Sequence, residues 1–293
     1  MGHIRLGTLS QSKMWRDVIG LLDAGGSVED VAEAAARASE LDLGRASGDP
    51  SFQFVTSLLV RLPLMARAPG FEAALAVIGA GEKAGHTVTS LLAGLSASID
   101  RNAFETGRSS DAGELARSAL LESLSVQLRD RLPSLFEPTP QEIRKTLASF
   151  ASGQNFAVLA RDFFARLSHK SLDYYLSREL ADHTGSDRRF ASDAERSEFE
   201  RSLALHTFEA SRIVEAFAGG WYGKTVWQKQ SLSQDEINKF TRYAFKKMRS
   251  ELGRRRATAL ASCQMPAAPD IERGRRETAI RDRWQTKRCD AQN

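Results

Sequence analysis

The sequence predicts an all-α protein: an irregular helical array, then an aromatic-rich helical bundle, ending in a basic C-terminal helix and a partly disordered tail. Three observations carry that prediction. Apolar residues recur at three- and four-residue steps along most of the chain; the two-residue alternation of strands is absent, apart from a short extended piece near 224–227; and four S/T-x-x-acid signals mark helix starts.

Taken in chain order, the first 136 residues are rich in Ala, Leu, Gly and Ser and offer helices near 9–22, 28–41, 51–66, 71–84, 87–100 and 112–131. Ser27 with Asp30 caps the second of these. No self-similarity recurs at a fixed period, so a regular solenoid is not predicted. A seam at 133–140 (PSLFEPTP) leads into a start signal made of Thr139, first-turn Pro140 and Glu142.

Beyond the seam, residues 150–245 hold 16 of the 23 aromatics. Between 154 and 183 the line Phe156, Leu159, Phe163, Leu167, Leu172, Leu176 and Leu180 predicts one long helix, or a pair bent near Ser168. Ser192 and Glu195 start a helix whose face is Phe199, Leu203, His206, Ala210, Ile213 and Phe217, with Gly219 as a left-handed cap. Ser233 and Glu236 start another, burying Ile237, Phe240, Ala244, Met248 and Leu252, with Leu232 and Ile237 as a hydrophobic staple. The chain divides accordingly into an array over 1–136, an aromatic domain over 139–256 and a basic tail over 257–293.

Composition excludes several classes. At 293 residues, 42% hydrophobic and 27% charged, the chain resembles an ordinary globular protein long enough to bury about 70–75% of its unfolded surface. Its two cysteines, Cys263 and Cys289, are too few for a disulfide framework, a Cys-based zinc site or an iron–sulfur cluster. The first fifteen residues lack the apolar core of a leader peptide, Leu6 stands where N-myristoylation wants Ser or Thr, and no run approaches a membrane span. A cytoplasmic location is expected, and Arg outnumbering Lys 31 to 10 fits a bacterial genome rich in G and C.

Three motifs invite chemistry. Residues 218–225 (AGGWYGKT) match a relaxed phosphate-loop pattern, but Trp221 and Tyr222 fill the loop and no strand precedes it; Gly219 and Gly220 read as a helix end, with Trp221, Tyr222 and Trp227 turning into the core. Residues 80–87 (AGEKAGHT) are a poorer echo, with His86 in place of the phosphate-binding Lys, and their apolar lead-in over 73–78 reads as a helix closed by Gly79 and Gly81. His169, Asp173, Glu179, His183, His206 and Glu209 fall at helical spacings on adjacent helices without the paired Glu-x-x-His of di-metal bundles. His206 reads as a hydrogen-bonded core residue; His169 and His183 read as polar-face or last-turn residues. No nucleophile–base set has a local signature, so no catalytic residue, cofactor or metal is assigned.

The remaining signal is electrostatic. Residues 239–293 carry 15 basic and 6 acidic side chains, a net +9, while the preceding 238 carry 26 and 31, a net −5. Lys239, Arg242, Lys246 and Arg249 step by three, four and three residues along one helix face, flanked by Lys247 and extended by Arg254, Arg255 and Arg256. Glu251 is the one acid within 239–256. Such a face suits nucleic-acid phosphate, and no recognition helix, RNP signature or zinc module points to base readout. The expectation is a non-catalytic interaction or scaffold protein whose basic end contacts DNA or RNA backbone without sequence specificity and whose N-terminal helices contact a protein partner, with no membrane role. A pure protein–protein adaptor, or an enzyme with an unrecognised helical site, are the competing classes.

Overall fold

Short polar caps set most helix boundaries in the computed structural model, which describes residues 2–4, 12–39, 44, 48–81, 83–133, 137–229 and 232–264. Helices α1 (Lys13–Asp23), α2 (Val28–Ala38), α3 (Pro50–Arg67), α4 (Phe71–Val77), α5 (Val88–Glu105) and α6 (Asp111–Arg129) precede the seam. Helices α7 (Pro140–Ser149), α8 (Gly153–Asp182), α9 (Asp193–Ala210), α10 (Arg212–Lys229) and α11 (Gln234–Gln264) follow it. The protein is all-α, as the periodicity predicts. The tail expected to be flexible from 257 is helical as far as Gln264, where α11 ends, and the rest of it, Cys289 included, falls outside the described residues.

All four start signals form as read. Ser27 accepts from the Asp30 N–H, and at Thr139 and Glu142 each side chain accepts from the other's backbone N–H. Ser192 accepts from the Glu195 N–H while the Glu195 carboxylate accepts from the Ala191 N–H, one residue earlier than a capping box requires. Further caps come from Ser12, Asp49, Thr87, Ser110 and Ser152. Each satisfies an N–H that the first turn leaves without an intrahelical partner, at about 1 kcal/mol per cap.

Several expectations are corrected. The segment 71–84 is helical only to Val77, because Gly79 and Gly81 take φ of +82° and +94°, outside the helical region. Two three-residue strands, β1 (Gly2–Ile4) and β2 (Arg108–Ser110), pair in parallel; three residues are too few to display an alternating pattern. Residues 153–182 form a single helix. The helix begun at Ser192 stops at Ser211, whose hydroxyl donates to the Phe208 carbonyl at 2.6 Å and competes with the helical ladder. Past that break the buried face slides by one position, from the predicted Ile213 and Phe217 to Val214, Ala218 and Tyr222. Gly219 is no left-handed cap: it lies inside α10, as does the piece at 224–227 read as extended. What needs glycine there is close approach, since a Cβ on Gly219 would meet the Gly153 carbonyl oxygen at 2.7 Å.

The long helix α8 is the hub, contacting α2, α6, α9 and α10. Stacked rings consolidate the region beyond the seam: Phe156 on Tyr222 at 3.9 Å and Trp221 on Phe240 at 4.1 Å, with Phe164 edge-on to Phe240 and Phe245. Packing also crosses the compositional seam, with α3 against α7 and the Tyr222 hydroxyl donating to the Val60 carbonyl at 3.3 Å. Contacts group Met1–Arg256 as one compact unit and Ala257–Asn293 as another. Arg189, in the loop before α9, donates to the carbonyls of Leu21, Leu22 and Gly26 and lies over the rings of Phe190 and Phe199. A cation thereby caps the C-terminal end of α1.

Candidate nucleic-acid interface

Helix α11 is anchored before its charges begin. Ser233 and Glu236 form a reciprocal capping box, Leu232 and Ile237 are both buried as a staple, and Arg61 of α3 donates to the Leu232 carbonyl at 2.9 Å. Ile237, Phe240, Ala244, Met248 and Leu252 are buried in the core, as their spacing predicts. One face of α11 is therefore fixed, and the rest is presented outward.

The cations divide into two groups. In the first, Lys239, Arg242 and Lys246 are exposed, and none forms an ion pair among the described residues; the Arg242 Nε donates to the Asn238 carbonyl at 3.3 Å. The seven residue steps from Lys239 to Lys246 rise ~10 Å, the length of roughly three base-pair steps. Lys247 is half-buried, its ammonium 5.4 Å from the centre of the Tyr243 ring. Tyr243, 45% exposed, packs edge-on against Phe217 at 4.8 Å.

The second group is partly neutralised. Arg254 makes a two-pronged contact with Glu251, at 2.6 and 2.9 Å, and Arg255 reaches the same carboxylate at 3.3 Å. Arg255 also donates to the Glu209 carbonyl at 3.1 Å and lies 3.9 Å from the Glu209 carboxylate. The hydrogen bond from Arg254 is the main influence holding the Glu251 carboxyl below its ordinary range. Arg249 is half-buried and already engaged. The Arg256 side chain, and Arg273, Arg275, Arg276, Arg281, Arg283, Lys287 and Arg288 of the tail, lie outside the described residues. The ridge read from the sequence thus has an open segment over 239–247 and a paired segment at 254–255.

The motifs with competing readings resolve differently. Residues 218–225 are helical, so their backbone N–H groups follow a helix and not an anion-cradling loop. Tyr222 and Trp221 pack into the aromatic cluster as expected, while the side chain of Trp227 is outside the described residues. His183 caps α8, its Nδ1 2.6 Å from the Glu179 carbonyl and its Nε2 3.0 Å from Asp23. His206 lies half-buried on the predicted face, but its Nε2 has no hydrogen-bond partner, nor has Nδ1 of His169. Among the described residues no three His, Cys, Asp or Glu side chains gather closely enough to hold a metal ion.

Sequence reasoning missed Tyr243, and it set Glu209 with the histidines and not against Arg255. The first is signalled locally, one turn from both Lys239 and Lys247. The second is 46 residues from the arginine it meets and has no local signal. No helix among the described residues is long and apolar enough to cross a membrane. Comparison with models of known families, with curated proteins and with solved structures finds no match.

Proposed function

We propose that this is a non-catalytic interaction protein whose helix α11 lies along nucleic-acid phosphate without sequence specificity. The observation that supports it is the exposed face carrying Lys239, Arg242 and Lys246, none of them ion-paired among the described residues, held rigid by the buried opposite face of the same helix. Aliphatic stems packed along the helix with charged heads in solvent are suited to phosphate contact, which carries no sequence information. With three contacts, log affinity for duplex DNA falls against log salt at a slope of about −3. The test is fluorescence anisotropy with random-sequence single- and double-stranded oligonucleotides in about 50 mM salt. Binding with that slope, lost in the Lys239→Gln/Arg242→Gln/Lys246→Gln triple variant, is the expected result. No binding to DNA or RNA at low salt overturns it.

A second reading, a docking face for a protein partner on the N-terminal helices, is favoured by two large apolar side chains left in solvent, Val77 at 87% and Phe104 at 69% exposure. They flank a helix pair locked by the Ser98 hydroxyl donating to the Ile78 carbonyl at 2.5 Å. Val77→Ser/Phe104→Ser should abolish co-purification with a partner encoded beside the gene while leaving the melting temperature within a degree or two. Retained co-purification rejects that face.

A further inference from the structure

Arg242 and Lys246 do not stand on a flat surface. They line one side of a cleft of about 170 Å³ bounded by α2, α8 and α11. Its apolar wall is Leu172 from α8 with Phe245, Met248 and Leu252 from α11, three of them at most 3% exposed and Phe245 half-buried. Arg249 also lines it, and among the described residues no Asp or Glu does. The three serine hydroxyls there are spent as donors: Ser39 toward the Ala36 carbonyl at 3.3 Å, Ser168 toward the Met248 sulfur at 3.4 Å and Ser171 toward the Leu167 carbonyl at 2.7 Å. Among the described residues, the terminal nitrogens of Arg242, whose Nε is bonded to Asn238, and the ammonium of Lys246 are left to face a ligand.

An apolar hollow whose described walls carry cations and no carboxylate has a definite complement. We infer that this cleft binds a small amphipathic anion, a carboxylate head on an aliphatic or aromatic body of roughly six to eight carbons. The size follows from volume, since an apolar cavity of about 150 Å³ holds one benzene ring. The head follows from the guanidinium, whose planar fork matches a carboxylate in two parallel hydrogen bonds. The apolar body displaces water from the wall formed by Leu172 and Met248, and Lys246 adds attraction for the charge. This inference does not depend on the nucleic-acid reading, and its test contains no nucleic acid.

The experiment is calorimetric titration of the full-length protein with octanoate, and in parallel with 1-octanol, octylammonium and acetate. Octanoate should bind, and bind more tightly than each of the three others, because it alone supplies both complements. Arg242→Gln/Lys246→Gln, at exposed positions that leave the core untouched, should weaken octanoate by ~10-fold or more while leaving octanol unchanged. Ser168→Leu, which fills the cleft, should weaken both; if that variant does not fold, the exposed double variant decides alone. The inference is overturned if octanoate does not bind, if octylammonium, octanol or acetate binds as well as octanoate, or if the double variant binds octanoate unaltered.

Discussion

Replacing Gly219 and Gly220 by alanine, one at a time, sets two physical effects against each other at adjacent positions of one helix. Both glycines lie inside α10 at ordinary helical φ, so each replacement gains up to ~1 kcal/mol from helix propensity and from a less flexible unfolded chain. At Gly220 nothing lies within 4 Å of the new methyl, and the gain stands. At Gly219 the methyl would sit 2.7 Å from the Gly153 carbonyl oxygen, 3.1 Å from its carbon and 3.4 Å from the Ala157 Cβ. Backbone atoms at a helix start cannot rotate aside as a side-chain end can. The whole α8–α10 contact must therefore open, at the upper end of the ~1–3 kcal/mol that overpacking costs. The net is a loss of about 2 kcal/mol at Gly219→Ala, and for a unit of this size each kcal/mol moves the melting temperature by about 2–4 °C. Thermal unfolding followed by circular dichroism should thus show Gly219→Ala lower by ~4–8 °C and Gly220→Ala higher by ~2–4 °C. Gly223→Ala, also with open space around it, should behave like Gly220→Ala. A phosphate loop, or a left-handed cap at 219–220, would make alanine unfavourable at several of these glycines. A fall at Gly220→Ala comparable with that at Gly219→Ala, or a Gly219→Ala protein as stable as the parent, refutes the close-packing argument.

Glu251→Gln removes the carboxylate that holds Arg254 and Arg255; it should raise affinity for duplex DNA and steepen the salt slope by about one to two, whereas an unchanged slope means that these arginines do not reach phosphate. Burial is the main cause pushing both His169 and His206 below the ordinary value near 6.5, with Asp173, Glu200 and Glu122 opposing it at the first and Glu29 at the second. The unfolded chain therefore takes up those protons first, so stability is full above pH 6.5 and is lost as pH falls toward the folded values. Melting temperature measured from about pH 8 down to about pH 5 should drop less steeply in His169→Asn/His206→Asn, and a parallel drop contradicts the assignment. Tyr222→Phe, losing only the bond to the Val60 carbonyl, should cost about 1 kcal/mol in urea unfolding, against ~3–5 kcal/mol for Tyr222→Ala, which also empties the stack on Phe156. Asp49 accepts from both the Phe52 N–H at 2.9 Å and the Ser110 hydroxyl at 2.8 Å, so Asp49→Ala should cost more than the ~1 kcal/mol of a simple cap, and an equal cost argues against the second bond.

What was legible in the sequence was local, and what escaped it was carried by contacts between distant residues. The caps at Ser27, Thr139, Ser192 and Ser233 involve partners three or four positions away, within the reach of one turn, so residue types alone specify them. The break at Ser211 does not follow from residue type, because a serine inside a helical pattern either returns its hydroxyl to the preceding turn or continues the ladder, and neighbouring helices decide which. Gly219 shows the same limit from the other side: a double glycine after an amphipathic run reads as a helix end, and only its meeting with Gly153, 66 residues earlier, makes it a packing contact. The charges obey this division too. At Arg242 and Lys246 every residue three or four positions away is uncharged or basic, so no local carboxylate can neutralise them, and they stay open. Asp235 stands four residues before Lys239 without pairing within 4 Å, and Glu236 is committed to the Ser233 N–H. Arg254 and Arg255, by contrast, have Glu251 at three and four positions, which already marks them as the neutralised end, while the approach of Glu209 to Arg255 needs the fold. The functional weight of the basic end therefore rests on the turn-and-a-half around Arg242 and Lys246. There local spacing and tertiary packing agree in leaving cations without carboxylates among the described residues, and there α11 opens onto an apolar cleft.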